Sequence, residues 1–133
     1  MQVRSQQNNP KGNFAPDGSR LTAILNGNAE ELINYANQVA KHFVSGGKEQ
    51  QLSTSKIRNI LDELHKIKSY DSTKLQLLRA KLAYAAGRHR GRVEDFQRLI
   101  DSAIQMVKSE GQFKCLKNFV EAIVAYHRLH GGK

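Results

Sequence analysis

Apolar residues recur at intervals of three and four along most of the chain, which is the spacing of amphipathic α-helices. Five such runs follow one another after residue 28, and glycines or short polar clusters separate them. Runs that alternate apolar and polar residues, which are typical of strands, are nearly absent. The pattern therefore predicts an all-α protein, folded as a five-helix bundle.

The helix boundaries are predicted from residues that favour helix ends. Asn28 precedes the first apolar run and has Glu31 three residues later, which is a capping-box-like arrangement. Glycine is favoured just after a helix, because it adopts the left-handed conformation without strain. The predicted starts are Asn28, Thr54 or Ser55, Ser72 or Thr73, Val93 and Gln112, and the predicted ends are Gly46 with Gly47, Gly87, Gly111 and Leu129.

Residues 1–27 differ in composition from the rest of the chain. They are rich in Asn, Gln, Gly and Ser, and they contain both prolines, Pro10 and Pro16. A segment of this kind buries little apolar surface and tends to remain unfolded. We therefore predict a flexible N-terminal arm over residues 1–27 and a single helical-bundle domain over residues 28–133.

Length and composition narrow the class of protein further. The chain has 133 residues, of which 39% are hydrophobic, so it can form one modest core. No apolar run approaches the roughly 20 residues that span a bilayer, which argues against a membrane partner. The one cysteine, Cys115, excludes an internal disulfide and fits a cytoplasmic protein.

Positive charge is concentrated in one part of the chain. The formal net charge is +9, and residues 71–92 hold six basic residues and one acidic residue, which is +5. Lys74, Lys81 and Arg88 are spaced seven residues apart, so they share one stripe of the third predicted helix. Tyr84 lies beside this stripe, where it could stack on a base or sugar or simply pack against a neighbour.

Three further arginines extend the basic stripe. Arg79 flanks the other side of the buried face of the same predicted helix, and Arg90 and Arg92 follow in the break before the next helix. Cations spaced along a helix in this way neutralise the phosphates of a nucleic acid and read no bases. The charge pattern therefore predicts binding to a nucleic-acid backbone without sequence selectivity.

The sequence offers few candidates for catalysis or metal binding. Ser53 and Lys56 match the S-x-x-K pattern of acyl-enzymes, but the accompanying K-T-G is missing and a hydroxyl-rich helix cap explains them. His127 and His130 are three residues apart, and no third ligand has a suitable spacing. Neither glycine-rich phosphate-binding motif is present. We therefore predict no enzymatic activity, no cofactor and no metal ion.

Three segments resemble a known family in their order and spacing. They are LSTSKIRNIL at 52–61, KLAYAAGR at 81–88 and FVEAIVAYHRLHGGK at 119–133. The family pattern has a hydroxyl-rich turn before an Ile/Leu-Arg helix, a Tyr-x-Ala-Gly-Arg helix end, and a C-terminal helix that closes on Gly-Gly. In these features the chain resembles the small subunit of the Csm effector complex of type III-A CRISPR–Cas systems.

The resemblance implies a five-helix bundle without catalytic activity that works in antiviral defence within a ribonucleoprotein. Several copies would line the groove in which target RNA pairs with the guide RNA. The implied partners are the CRISPR RNA–target RNA duplex, other subunits of the complex and further copies of this chain. A protein that accepts any guide sequence should contact the RNA backbone and leave specificity to base pairing.

The predicted RNA-binding residues come from two sources. The family motif carries over to Lys56 and Arg58 on the second predicted helix, and to Arg88 at the end of the third. The charge pattern alone adds Lys74, Arg79, Lys81, Tyr84, Arg90 and Arg92.

Two other functions compete with this hypothesis. A small helical DNA-binding protein would present Asn, Gln or Arg toward base edges, and the third predicted helix offers only Gln76 as an amide. A scaffold or oligomerisation module would place the basic block against an acidic protein surface. Its partner affinity would change little with moderate salt, whereas phosphate contacts weaken steeply.

Overall fold

The structure, a computed structural model, describes residues 14–46, 51–88 and 91–133. These residues form six α-helices and no strand, so the predicted all-α class is confirmed. None of the described helices is long and apolar enough to cross a membrane. The helices are α1 (Gly18–Leu25), α2 (Ala29–Val44), α3 (Thr54–Lys66), α4 (Ser72–Arg88), α5 (Arg92–Met106) and α6 (Glu110–Leu129).

The predicted number of five helices is one short, because α1 lies within the segment predicted to be a flexible arm. Asp17 caps α1 by accepting hydrogen bonds from the backbone N–H groups of Ser19 and Arg20. Leu21, Ile24 and Leu25 of α1 are buried in the core. Eight residues span about two turns, too few for a clear helical periodicity. Residues 1–13 of the predicted arm lie outside the described residues.

The core is built around α6, which is 20 residues long and packs against α1, α2 and α3. The rings of Tyr35 on α2 and Phe119 on α6 stack with their centroids 5.8 Å apart. Phe43 and Phe96 meet edge to face at 5.4 Å and join α2 to α5. Burying a large apolar side chain stabilises the fold by about 1.5–3 kcal/mol, so these contacts hold the bundle together.

The start of α2 agrees with the sequence, and two predicted helix ends are wrong. Asn28 caps α2 by accepting from Glu31 N, as predicted. Gly87 lies inside α4 and has no positive φ; the left-handed glycine of this region is Gly91, with φ 87°, directly before α5. Gly111 lies in the first turn of α6, since α5 already ends at Met106. The predicted end at Gly47 lies outside the described residues.

The capping residue of α3 also differs from the prediction. Ser53 caps the helix by accepting from Lys56 N at 3.3 Å, in place of Thr54 or Ser55. Thr54 is buried, and its hydroxyl oxygen lies 3.0 Å from Nδ1 of His127 on α6. One residue of the hydroxyl-rich turn therefore serves as the cap, and the next joins α3 to the core.

Four of the predicted RNA-binding cations, Lys74, Arg79, Lys81 and Arg88, lie on α4, which packs chiefly against α5. Its inner face buries Leu75, Leu78, Leu82 and Ala86. A second apolar stripe on the same helix points to solvent, where Leu77 is 62% exposed and Tyr84 is 69% exposed. The bundle alone does not explain why α4 carries large apolar side chains on its outer face.

Candidate nucleic-acid interface

Two of the predicted RNA-binding residues, Lys74 and Lys81, line a groove between α3 and α4. The turn between them is held to α6 by Tyr70, whose backbone N–H donates to Glu110 Oε1. Lys81 Nζ contacts Glu63 Oε1 at 3.3 Å across the groove. The groove has a volume of about 280 Å³. Apolar and charged side chains both line it, and they are Glu63, Lys66, Ile67, Lys74, Leu77, Leu78 and Lys81.

Lys56 and Arg88 are each seven residues from the ion pair that joins α3 to α4. Glu63 and Lys81 form that pair; Lys56 precedes Glu63 on α3, and Arg88 follows Lys81 on α4. Seven residues correspond to about 10.5 Å of helix rise. Arg58 is exposed near the start of α3. The three residues carried over from the family motif therefore lie outside the groove, whose lining includes none of them.

These three cations have no acidic partner within the described part of the chain. Arg88 is instead placed by an aromatic ring, because its guanidinium carbon lies 5.9 Å from the ring centroid of Tyr84. A cation at this distance from the ring face is weakly attracted to it. The ring of Tyr84 still faces solvent, so an aromatic surface and a free cation are available side by side.

Two other predicted cations have intramolecular partners. Arg79 donates to both carboxylate oxygens of Asp101 on α5, at 2.6 and 3.3 Å. Its hydrogen bond to Asp101 raises the pKa of Arg79 above its ordinary value. Lys81 pairs with Glu63, and hydrogen bonds from Lys66 and Lys81 lower the pKa of Glu63. These local pairs neutralise part of the positive charge that the sequence places on α4.

The side chain of Arg92 is mostly buried and contacts other residues of the fold. Its side chain is 21% exposed, and it lies near the carboxylate of Asp95 and the hydroxyl group of Ser45, at 3.9 and 3.3 Å. Asp95 is only 4% exposed and also contacts Arg98 and His42. A buried carboxylate needs such partners, since an unpaired buried charge is costly. Arg90, the remaining predicted arginine, lies outside the described residues.

The groups considered for catalysis are engaged in the fold. His127 is fully buried, with Nδ1 3.0 Å from Thr54 Oγ1 and Nε2 2.6 Å from Leu52 O. Burial lowers the pKa of His127. His130 turns away to Asn37 Oδ1 at 2.6 Å, so the two histidines do not share a ligand. No group of three potential metal ligands occurs among the described residues.

The C-terminal turn closes over the same histidine. Gly132 donates its backbone N–H to His127 O at 2.8 Å. A Cβ atom at Gly132 would lie 2.1 Å from the imidazole ring, so only glycine fits this position. The sequence showed the Gly-Gly ending and the hydroxyl-rich turn, but nothing in it showed that both meet at His127.

Comparison with known proteins supports the family seen in the motifs. The family model for Csm2 Type III-A matches residues 26–133, which include α2 to α6. No curated protein and no solved structure matched the chain. The match covers most of the sequence, including all three motif segments. The chain therefore belongs to the Csm2 type III-A family, the small subunits of the type III-A CRISPR effector complex that acts in antiviral defence.

Proposed function

We propose that this chain is a non-catalytic subunit that binds the sugar–phosphate backbone of the guide–target RNA duplex. The proposed binding residues lie at the start of α3 and at the end of α4, and they are Lys56, Arg58, Tyr84 and Arg88. One observation carries the proposal: among the residues that the structure describes, these three cations have no acidic partner, whereas Arg79 and Lys81 are paired.

Unpaired cations that carry no local counter-charge favour a polyanion over mere solubility. Like charges held close together repel one another, and an anionic partner relieves that repulsion. RNA phosphates also release condensed counterions when lysine and arginine replace them, which favours binding at low salt. The exposed ring of Tyr84 adds a surface on which a base or ribose can stack. None of these contacts depends on base identity, as a subunit that serves many guides requires.

The other predicted residues would contribute less directly to RNA binding than Lys56, Arg58 and Arg88. Lys74 is exposed and lies 14 residues before Arg88, which is about 21 Å along α4. It can therefore contact a more distant phosphate, or a different partner. Arg79 and Lys81 would strengthen the positive field more weakly, since each is paired to a carboxylate. We assign Arg92 to the stability of α5, and Arg90 stays a predicted RNA contact.

The contacts of the candidate nucleophile Ser53 and the candidate base His127 support a non-catalytic role. Ser53 Oγ accepts from Lys56 N and so acts as a helix cap. His127, the buried histidine nearest to this turn, contacts Thr54 and Leu52 O and is inaccessible to a substrate. A nucleophile needs a base within hydrogen-bond distance and access to its substrate. Chemistry on the target RNA would then belong to other subunits.

The proposal is tested by RNA binding of the assembled effector complex at several salt concentrations. Arg58→Ala combined with Arg88→Ala should weaken target RNA binding and reduce the slope of log affinity against log salt by about 1.5–2, since two phosphate contacts are lost. The matched control is Lys108→Ala with Lys114→Ala, which removes the same charge from exposed positions outside α3 and α4. Equal salt slopes for the two double variants would refute the assignment of this face.

A further inference from the structure

The short link between α1 and α2 carries the dipeptide Asn26–Gly27, and both residues are exposed. A side-chain amide that precedes glycine is open to attack by its own backbone, because glycine has no Cβ to hinder the approach. The nitrogen of Gly27 attacks Cγ of Asn26 and closes a five-membered succinimide ring. The side-chain NH2 group leaves as ammonia and takes the amide proton of Gly27. Water then opens the ring at either carbonyl carbon, which yields aspartate or isoaspartate.

In the folded chain this dipeptide belongs to the C-terminal cap of α1. The backbone N–H of Gly27 donates to Ile24 O at 3.0 Å, and the φ of Gly27 is 100°. The backbone N–H of Asn28 donates to Ala23 O, also at 3.0 Å. These two bonds and the left-handed glycine form a Schellman motif. The attacking nitrogen is therefore already bonded to a carbonyl oxygen, which opposes the loss of its proton.

The backbone of Asn26 also keeps the reacting atoms apart. Ring closure requires the Gly27 nitrogen to be nearly eclipsed with Cβ about the Cα–C bond of Asn26. The ψ of Asn26 is 10°, so the Gly27 nitrogen is nearly eclipsed with Asn26 N and is turned away from Cβ. The side chain is tied to α6 as well, since Gln112 Nε2 donates to Asn26 Oδ1 at 3.3 Å. The folded conformation is thus unreactive, and the link must open before the ring can close.

We propose that Asn26 is a deamidation site whose rate is set by the detachment of α1 from the bundle. Rotation about ψ of Asn26 redirects the chain between α1 and α2, so α1 cannot stay packed while the ring closes. An element of a folded protein opens more rarely the more tightly it is held. The rate in the folded chain is then the rate of the unfolded link multiplied by the fraction of time that α1 is detached.

Two sets of contacts hold α1 in place and therefore protect Asn26. Three apolar side chains of α1 are buried in the core, and they are Leu21, Ile24 and Leu25. At the start of the helix, the backbone N–H of Asp17 donates to Tyr35 Oη on α2 at 3.0 Å. Neither set contains the reacting atoms. A change that weakens either set should nevertheless speed the reaction at Asn26.

The products of the reaction favour the detached state of α1. Aspartate places a negative charge at the C-terminal end of α1, where the helix dipole disfavours it. Isoaspartate runs the main chain through Cγ and lengthens it by one carbon atom, so the two bonds of the Schellman motif cannot both form. Deamidation therefore converts a transient opening of α1 into a lasting one.

The test follows deamidation of the whole chain by peptide mass spectrometry at mildly alkaline pH. The chain unfolded in guanidinium chloride gives the unprotected rate, and the folded wild type should react at Asn26 at least about a hundredfold more slowly. Tyr35→Phe removes the acceptor of the Asp17 bond and should speed the folded reaction about threefold to tenfold. Tyr126→Phe is the matched control. It removes a hydroxyl group about 21 Å along α6 from Gln112 and should leave the rate unchanged.

A second pair of variants separates detachment of α1 from unfolding of the whole bundle. Ile24→Ala loosens α1 and should speed the reaction at least about tenfold. Leu64→Ala is the control, because Leu64 is also fully buried but lies on α3, which packs chiefly against α6. It should speed the reaction much less. Circular dichroism checks that each variant is folded.

Three results overturn the proposal. The first is an equal rate at Asn26 in the folded and unfolded wild type. The second is a folded Tyr35→Phe variant that reacts no faster than Tyr126→Phe. The third is an equal acceleration by Leu64→Ala and Ile24→Ala, which means that unfolding of the whole bundle limits the reaction. The measurement uses no RNA, so its failure leaves the proposed function untouched.

Discussion

The hydroxyl group of Thr54 lies 3.0 Å from Nδ1 of His127, and both side chains are buried. The other ring nitrogen, Nε2, lies 2.6 Å from Leu52 O and must carry a proton, because a carbonyl oxygen can only accept. Nδ1 then accepts the hydroxyl proton of Thr54. The neutral ring therefore joins the start of α3 to the end of α6.

Stability should decrease in mild acid because of His127. Burial lowers the pKa of His127 below the ordinary value of about 6.5. The unfolded chain then binds more protons than the folded chain below that pH, so the free energy of unfolding falls until the pH reaches the lowered pKa. Urea unfolding from about pH 8 to pH 5 should show this loss in the wild type and a smaller loss in His127→Gln.

His127→Gln should also destabilise the protein at about pH 8, by about 1–3 kcal/mol, because a buried hydrogen-bond partner is left unsatisfied. The control is His65→Gln, since His65 is exposed on α3. That variant should keep the wild-type dependence on pH. If His127→Gln and the wild type lose stability in parallel on acidification, the explanation is wrong.

Two glycines at either side of the α4–α5 junction should respond oppositely to alanine. Gly87 is exposed inside α4 with open space around it, so Gly87→Ala should stabilise the protein by about 0.5–1 kcal/mol. Gly91 also has open space, but its φ of 87° is strained for any residue with a Cβ. Gly91→Ala should therefore destabilise by about 1–2 kcal/mol. Thermal unfolding gives the melting temperature of each variant. Equal changes in melting temperature would contradict the different backbone conformations of Gly87 and Gly91.

Arg88 and Arg92 are only four residues apart but should separate RNA binding from stability. Arg92→Ala removes a partner of the buried Asp95 and should lower the free energy of unfolding by about 1–3 kcal/mol. Arg88→Ala changes an exposed side chain, so stability should stay within about 0.5 kcal/mol while RNA affinity falls. Urea unfolding measures the stability of both variants, and RNA titration measures their affinity. A loss of stability in Arg88→Ala equal to that in Arg92→Ala would argue against this division.

Helix α1 should contribute to the stability of the whole bundle. Ile24 is fully buried, and Ile24→Ala should destabilise the protein by about 2–4 kcal/mol through lost contacts and a cavity. Thr22→Ala on the exposed side of α1 is the control, with a small effect. A negligible effect of Ile24→Ala would mean that residues 18–25 behave as the flexible arm predicted from composition.

The sequence revealed the features that depend on local interactions. The spacing of Leu116, Phe119, Val120 and Ile123 marks the buried face of α6, because helical periodicity follows directly from burial on one side. Asn28 as a cap was predictable for the same reason, since the cap binds a backbone group three residues away.

Features that depend on packing between helices escaped sequence reasoning. Arg79 and Asp101 are 22 residues apart, and Lys81 and Glu63 are 18 apart, so no local pattern shows that these charges meet. Basic residues on α4 looked equivalent in the sequence, although only some of them remain free. The contact of Arg92 with Ser45, which lies 47 residues earlier, was hidden in the same way.

The attachment of α4 chiefly to α5 has a consequence for amide hydrogen exchange. A helix with one main packing partner opens more readily than α6, which three helices surround, so its backbone should exchange faster in the free protein. A partner on its outer face would have to suppress that opening, and part of the interaction energy would go into ordering α4. Slower exchange confined to α4 would then report occupation of the outer face without any label on the partner.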